Sequence, residues 1–126
     1  MKLLTHNFLS TQFIKGVKEG YPLNLKSNST EKKEFEFDPV MMVKLLPKMQ
    51  YPVLLSTAQN IGIDVSGLPS QLPDNWKEDH DFLKKAAELA LGYEIIDGEL
   101  ECPESGKVFK IKEGIPNMLI DREDDD

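Results

Sequence analysis

Tyr93-Glu94-Ile95-Ile96-Asp97-Gly98-Glu99-Leu100-Glu101-Cys102-Pro103-Glu104-Ser105-Gly106-Lys107-Val108-Phe109-Lys110-Ile111 is the stretch on which the fold turns. It abruptly abandons the helical spacing of the residues before it. Residues 93–102 read as strand, with Leu100 and Cys102 two apart and on one side. Asp97-Gly98 behind Ile95 and Ile96 is a strong two-residue hairpin signal, because glycine takes positive φ without penalty. Pro103 to Gly106 makes a tight turn, residues 108–111 are a further strand, and Glu113-Gly114 turns once more. Residues 115–120 form a closing apolar segment.

Working back from that stretch, the period is 3.6. Phe82, Leu83, Ala86, Leu89 and Ala90 make an apolar stripe behind Asp79 or Asp81 as cap, and Gly92 stops the helix. Pro52 opens a helix that runs to Ile61, where Gly62 can close it. Asp38-Pro39 reads as an N-cap followed by proline in the first turn of a helix over 40–46, which Pro47 ends or kinks. Residues 67–75 are a loop. Further upstream, residues 21–26 alternate, with Leu23 and Leu25 on one side, and residues 34–38 alternate around Phe35 and Phe37. These two predicted strands pair antiparallel across a polar loop at 27–33. The expected class is therefore α+β. A small antiparallel sheet is built from both chain ends, residues 1–38 and 92–126, and a helical insert at 39–91 covers it.

The chain has 126 residues, 40% hydrophobic and 29% charged, with a formal charge of -7. This is globular composition with enough apolar side chain for a core. The negative balance argues against a direct nucleic-acid binder, which needs a basic patch. The acidic run at 121–126 reads as a solvated tail. A single cysteine, Cys102, excludes an intrachain disulfide and a four-cysteine zinc site. No apolar run reaches the roughly 20 residues that span a bilayer, and no secretory signal opens the chain. Cytoplasm and nucleus are the expected compartments.

Catalytic constellations are not found. His80 lies in the charged run Glu78-Asp79-His80-Asp81 and reads as a solvated first turn. His6, beside Thr5 and Asn7, reads as a structural hydrogen bonder, and Cys102 as a core residue. There is no phosphate loop, nucleophile elbow or dinucleotide fingerprint. The expectation is a protein that is not an enzyme. Ile115-Pro116-Asn117-Met118-Leu119-Ile120 does ask for a partner. Its proline belongs on an edge strand, and an apolar edge needs cover. Either the helical insert or a second protein can supply that cover.

Met1-Lys2-Leu3-Leu4-Thr5-His6-Asn7-Phe8-Leu9-Ser10, Tyr21-Pro22-Leu23, Phe35-Glu36-Phe37-Asp38-Pro39, Cys102-Pro103-Glu104-Ser105-Gly106 and Gly114-Ile115-Pro116-Asn117-Met118-Leu119 occur in this order across nearly the whole chain. Together they resemble the eukaryotic multifunctional methyltransferase activator subunits. The resemblance implies a zinc-ribbon-like sheet with a helical insert. It also implies a non-catalytic subunit that binds and stabilises class-I methyltransferases. Those enzymes bind S-adenosylmethionine and modify tRNA, small-subunit rRNA and the glutamine of the translation release factor. By the same resemblance, partner contact falls to Asn7, Phe8, Ile115, Pro116, Asn117, Met118 and Leu119, through sheet-edge pairing and an apolar patch. Some members carry zinc on four cysteines. Here Ser105 stands where the second knuckle cysteine would be, so a metal-free ribbon is expected, with packing by Phe8, Phe13, Phe35, Phe37 and Phe109 as the substitute.

Overall fold

A computed structural model describes residues 1–118. Leu119 and the acidic run at 121–126 lie outside the described residues. The elements follow in the order α1 (Leu3–Phe8), β1 (Asn24–Lys32), α2 (Pro39–Leu45), a 3-10 turn (Leu46–Lys48), α3 (Tyr51–Asn60), α4 (His80–Leu91), β2 (Tyr93–Glu101), β3 (Val108–Lys112) and β4 (Ile115–Pro116).

The helices start and stop where side-chain chemistry dictates. The Asp38 carboxylate accepts from the backbone N–H of Val40 at 3.0 Å and Met41 at 3.2 Å, satisfying two of the orphan donors that open α2. Pro47 then tightens the chain into the 3-10 turn rather than letting α2 continue. Asp79, not Asp81, caps α4 by accepting from Phe82 N–H at 3.1 Å. Helix α4 buries Phe82, Leu83, Ala86, Ala87, Leu89 and Ala90. Its three alanines let the neighbouring backbones approach, while Leu83, fully buried, stabilises the layer by roughly 1.5–3 kcal/mol. Gly62 ends the region after α3 at φ 87, as expected of a left-handed stop.

The sheet runs in the order β1-β2-β3-β4, every neighbouring pair antiparallel. One face carries Ile95 and Leu100 of β2 with Phe109 and Ile111 of β3, all buried. That face meets the helices in one apolar cluster that also holds Leu3, Met42, Leu46, Leu54 and Leu83. Both ends of the chain contribute: the Met1–Lys2 segment pairs with β2 through Ile95 N–H to Met1 C=O at 2.7 Å and a Lys2–Glu94 bridge. The α+β class and the covered antiparallel sheet are as expected.

Three local expectations fail. The strand predicted at 21–26 begins at Asn24 and continues to Lys32, so the polar stretch at 27–33 is mostly strand, not loop. Its partner is β2, with Asn24 opposite Glu101 and Lys32 opposite Tyr93, not the stretch around Phe35 and Phe37. Those phenylalanines lie on an unpaired extended segment and tuck individually against the core. Finally, Asp97-Gly98 is no hairpin. Strand β2 passes straight through it, and Gly98 is there because a Cβ would collide with the Lys26 carbonyl oxygen. Beside it, the pairing slips twice and recovers: Asn28 has no partner on β2 and Ile96 none on β1, so the register is the same on both sides of the irregularity. The true two-residue turn is Glu113-Gly114, with both residues at positive φ, 53° and 79°.

Candidate docking face

Strand β4 is the last strand of the sheet and is two residues long. It pairs with β3 through Lys112 opposite Ile115 and Ile111 opposite Pro116, and Asn117 N–H donates to Lys110 C=O at 2.9 Å. Because antiparallel ladders alternate, Pro116 turns its backbone away from β3, offering a carbonyl outward and no N–H. Ile115 is 68% exposed, the most exposed large apolar side chain among the described residues. Val108 on the outer side of β3 is 46% exposed, and the two border a groove with Lys110, Lys112, Pro116 and Met118. Met118 is half-buried, resting its side chain on the core.

The residues assigned by resemblance do not all share this face. Ile115, Pro116, Asn117 and Met118 line the groove together. Leu119 lies outside the described residues. Phe8, at the end of α1, is half exposed. Asn7 is 3% exposed, and its side chain is engaged within the molecule. Its Nδ2 donates to Gln50 C=O at 2.9 Å and its Oδ1 accepts from Gln50 N–H at 2.8 Å. The Tyr21 hydroxyl donates to the Asn7 carbonyl at 2.6 Å. Asn7 therefore ties α1 to the residue that caps α3. Phe8 and Phe13 do not pack the interior as expected, whereas Phe109 does.

Two members of the face escaped sequence reading. Val108 was detectable, because period two puts it on the water side of β3, where a valine has no reason to be unless something covers it. Phe13 was not, since it stands in an irregular loop. It is half exposed and meets Phe109 edge-on, centroids 6.0 Å apart at 61°. A separate apolar exposure, Val40 and Met41 on α2, is flanked by Lys44 and Lys48.

The knuckle at 102–106 sits at the other end of β3. Cys102 is 1% exposed. Its sulfur accepts from the Thr11 hydroxyl at 3.0 Å and from Ser105 N–H at 3.3 Å. Burial pushes the thiol up, but the hydrogen bonds from Ser105, Thr11 and the backbone at Glu104 more than offset it and bring it down to about 7. This donor set does not fit structural zinc. The sulfur's neighbours are a hydroxyl and an amide N–H, not three further N or S ligands. Among the described residues, no group of three or more His, Cys, Asp or Glu side chains converges. His6 is buried and hydrogen-bonds through Nε2 to Leu23 C=O at 2.8 Å, and His80 is exposed at the start of α4.

Comparison with known proteins follows the same lines. A sequence model of the family described as Trm112p-like protein matches residues 2–114. A Caenorhabditis elegans protein named multifunctional methyltransferase subunit TRM112-like protein is 41% identical over 120 residues, covering 94% of this chain and 95% of that one. Its namesake in Mus musculus is 35% identical over 125 residues, covering 98% of each. The fold matches a chain in the structure of the E. cuniculi Mtq2-Trm112 complex, described as responsible for methylation of the eRF1 translation termination factor. The TM-score is 0.53 at 18% identity, over 94% of this chain and 95% of that chain.

Proposed function

The chain belongs to the Trm112p-like protein family, and on that premise we propose that it is the non-catalytic, stabilising subunit of class-I methyltransferases that use S-adenosylmethionine. Its relatives are named as methyltransferase subunits over essentially their whole length. The enzymes it serves are those for tRNA, small-subunit rRNA and the release-factor glutamine. It works in cytoplasm and nucleus, with residues 1–38 and 92–118 forming a ribbon and 39–91 a helical insert.

The observation that carries the reading is the β4 edge. An enzyme sheet can add a strand beside Pro116 and Met118, using main-chain groups that do not depend on the partner's sequence. Ile115, Val108 and Met118 then cover apolar surface beside it, and methionine accommodates different shapes. Binding only the folded enzyme draws it away from unfolding by mass action. S-adenosylmethionine binds the partner. This chain binds no zinc, its knuckle being closed by the Cys102 hydrogen bonds instead.

Co-expression with a release-factor or tRNA methyltransferase tests this, followed by size-exclusion chromatography and cofactor titration. A one-to-one complex that binds S-adenosylmethionine, where the enzyme alone aggregates or fails to bind, is the expected result. An enzyme equally soluble and competent alone, with no complex across several candidates, defeats it. Stoichiometric zinc by elemental analysis defeats the metal-free knuckle.

A further inference from the structure

The loop between α1 and β1, residues 11–20, is closed by one set of bonds and fastened by another. Closure is internal: Thr11 N–H donates to Gly20 C=O at 3.0 Å, and Ile14 and Val17 continue the winding. Gly20, at φ 58, is compulsory there, since a Cβ would sit 2.8 Å from the Thr11 backbone. These bonds shape the loop but leave it unattached to the sheet.

Glu104, in the turn after Cys102, supplies the attachment. One carboxylate oxygen accepts from Lys18 N–H at 3.0 Å, and the other from Glu19 N–H at 2.9 Å and Gly20 N–H at 2.5 Å. Successive amides converging on one anion form a nest, here filled by the protein's own side chain. Such bonds are charge-assisted and directional. Alongside, the Thr11 hydroxyl meets the Cys102 sulfur at 3.0 Å. The same loop bears Phe13, which leans on Phe109 where that residue borders the β3–β4 groove.

We propose that Glu104 is a positioning residue for partner docking: seated in the amides of residues 18–20, it latches the 11–20 loop to the knuckle and holds Phe13 against Phe109 as the rim of the β3–β4 face. This rests on the docking reading above. Near-isosteric replacement by glutamine removes the charge and sets an NH2 group in place of one acceptor oxygen, so it loosens the latch without changing side-chain size. Glu104→Ala removes it outright. Phe13→Ala removes the rim while leaving the latch.

The experiment uses the full chain, wild type and these variants, with two readouts. The first is amide hydrogen exchange at Lys18, Glu19 and Gly20 in the free protein. The second is affinity for a co-purifying methyltransferase. Glu104→Gln and Glu104→Ala should raise exchange at those amides roughly tenfold or more while β2 and α4 stay protected. Both should weaken the complex about as much as Phe13→Ala does, with no further loss in the double variant. Unchanged exchange overturns the latch. Faster exchange with unchanged affinity, or additive losses in the double variant, overturns the positioning role. Failure of the wild type to bind any methyltransferase overturns the docking reading and the positioning role with it, and the exchange data still decide the latch.

Discussion

The two outermost strands of the sheet handle their edges in opposite ways. Strand β1 is nine residues long, Asn24–Lys32, and almost wholly polar, with Lys26, Glu31 and Lys32 exposed and an irregularity at Ser27–Thr30. Lysine, charge and an irregularity all discourage another strand from adding there. Strand β4 is two residues long and apolar, carrying an isoleucine that is 68% exposed. Length alone would single out β1 as the sticky edge. Chemistry reverses the order: the long edge is blunted and, among the described residues, the short one is apolar and exposed, as the docking proposed at β4 requires.

The contrast can be broken most sharply at Ile115. Ile115→Asp should leave the free protein folded, because the side chain lies in water. It should weaken methyltransferase binding at least a hundredfold, roughly 3 kcal/mol, because the charge is then buried in the complex. Thr30→Asp, the matching change on β1, should leave binding intact, and equal loss from both in a pull-down titration would abolish the distinction. Next in size, Asn7→Ala strips Gln50 N–H of its acceptor and removes one of the donors to Gln50 C=O, which keeps those of Val53 and Leu54; it should lower stability by about 2 kcal/mol in urea melts, with binding per folded molecule unchanged.

A smaller effect separates the two sides by pH. Burial pushes the pKa of His6 down, and the Leu23 hydrogen bond only partly restores it, so the folded protein keeps this ring neutral. The unfolded chain takes up a proton near pH 6.5. Stability is therefore unaffected above that value and falls as pH drops below it, by at most about 1.4 kcal/mol per unit, levelling off below the folded pKa. Denaturant melts at pH 7.5, 6.5 and 5.5 measure this, and His6→Gln should flatten the curve. The smallest effect is expected at Lys32. Lys32→Val removes an exposed ion pair with Glu88 and should leave stability nearly unchanged, yet raise self-association in sedimentation runs by unblunting the edge.

Helices α2, α3 and α4 were legible because their signals are local, whereas α1, which has no side-chain cap, was not. Asp38-Pro39, Pro52, Asp79 and the α4 stripe each act within one turn of chain. The family and the apolar segment at Ile115 were legible too. Strand partners were not. Phe35 and Phe37 alternate as a strand does, but alternation does not name a partner, and the ladder to β2 had already been taken by the polar run at 27–32. Asp97-Gly98 has the composition of a turn, yet its glycine answers a close approach by Lys26, a residue far away in sequence. The structural use of Asn7 was hidden for the same reason: it depends on Gln50, 43 positions on. The seat of Glu104 was not legible, because backbone amides that donate to a distant carboxylate leave no trace in sequence.

The pairing of β1 with β2 has a consequence for how the molecule comes into being. Asn24 and Glu101 lie opposite each other but 77 positions apart, so β1 joins the sheet only by closing a loop that contains every helix but α1. During synthesis β1 emerges long before the strand that completes it. Its lysines and serines, which need no apolar cover, suit it to that wait, while Ile115 follows last, when the sheet it joins can already be assembled. High contact order predicts slow refolding for a chain of this size, and the order in which its strands leave the ribosome is the order in which they can safely remain unpaired.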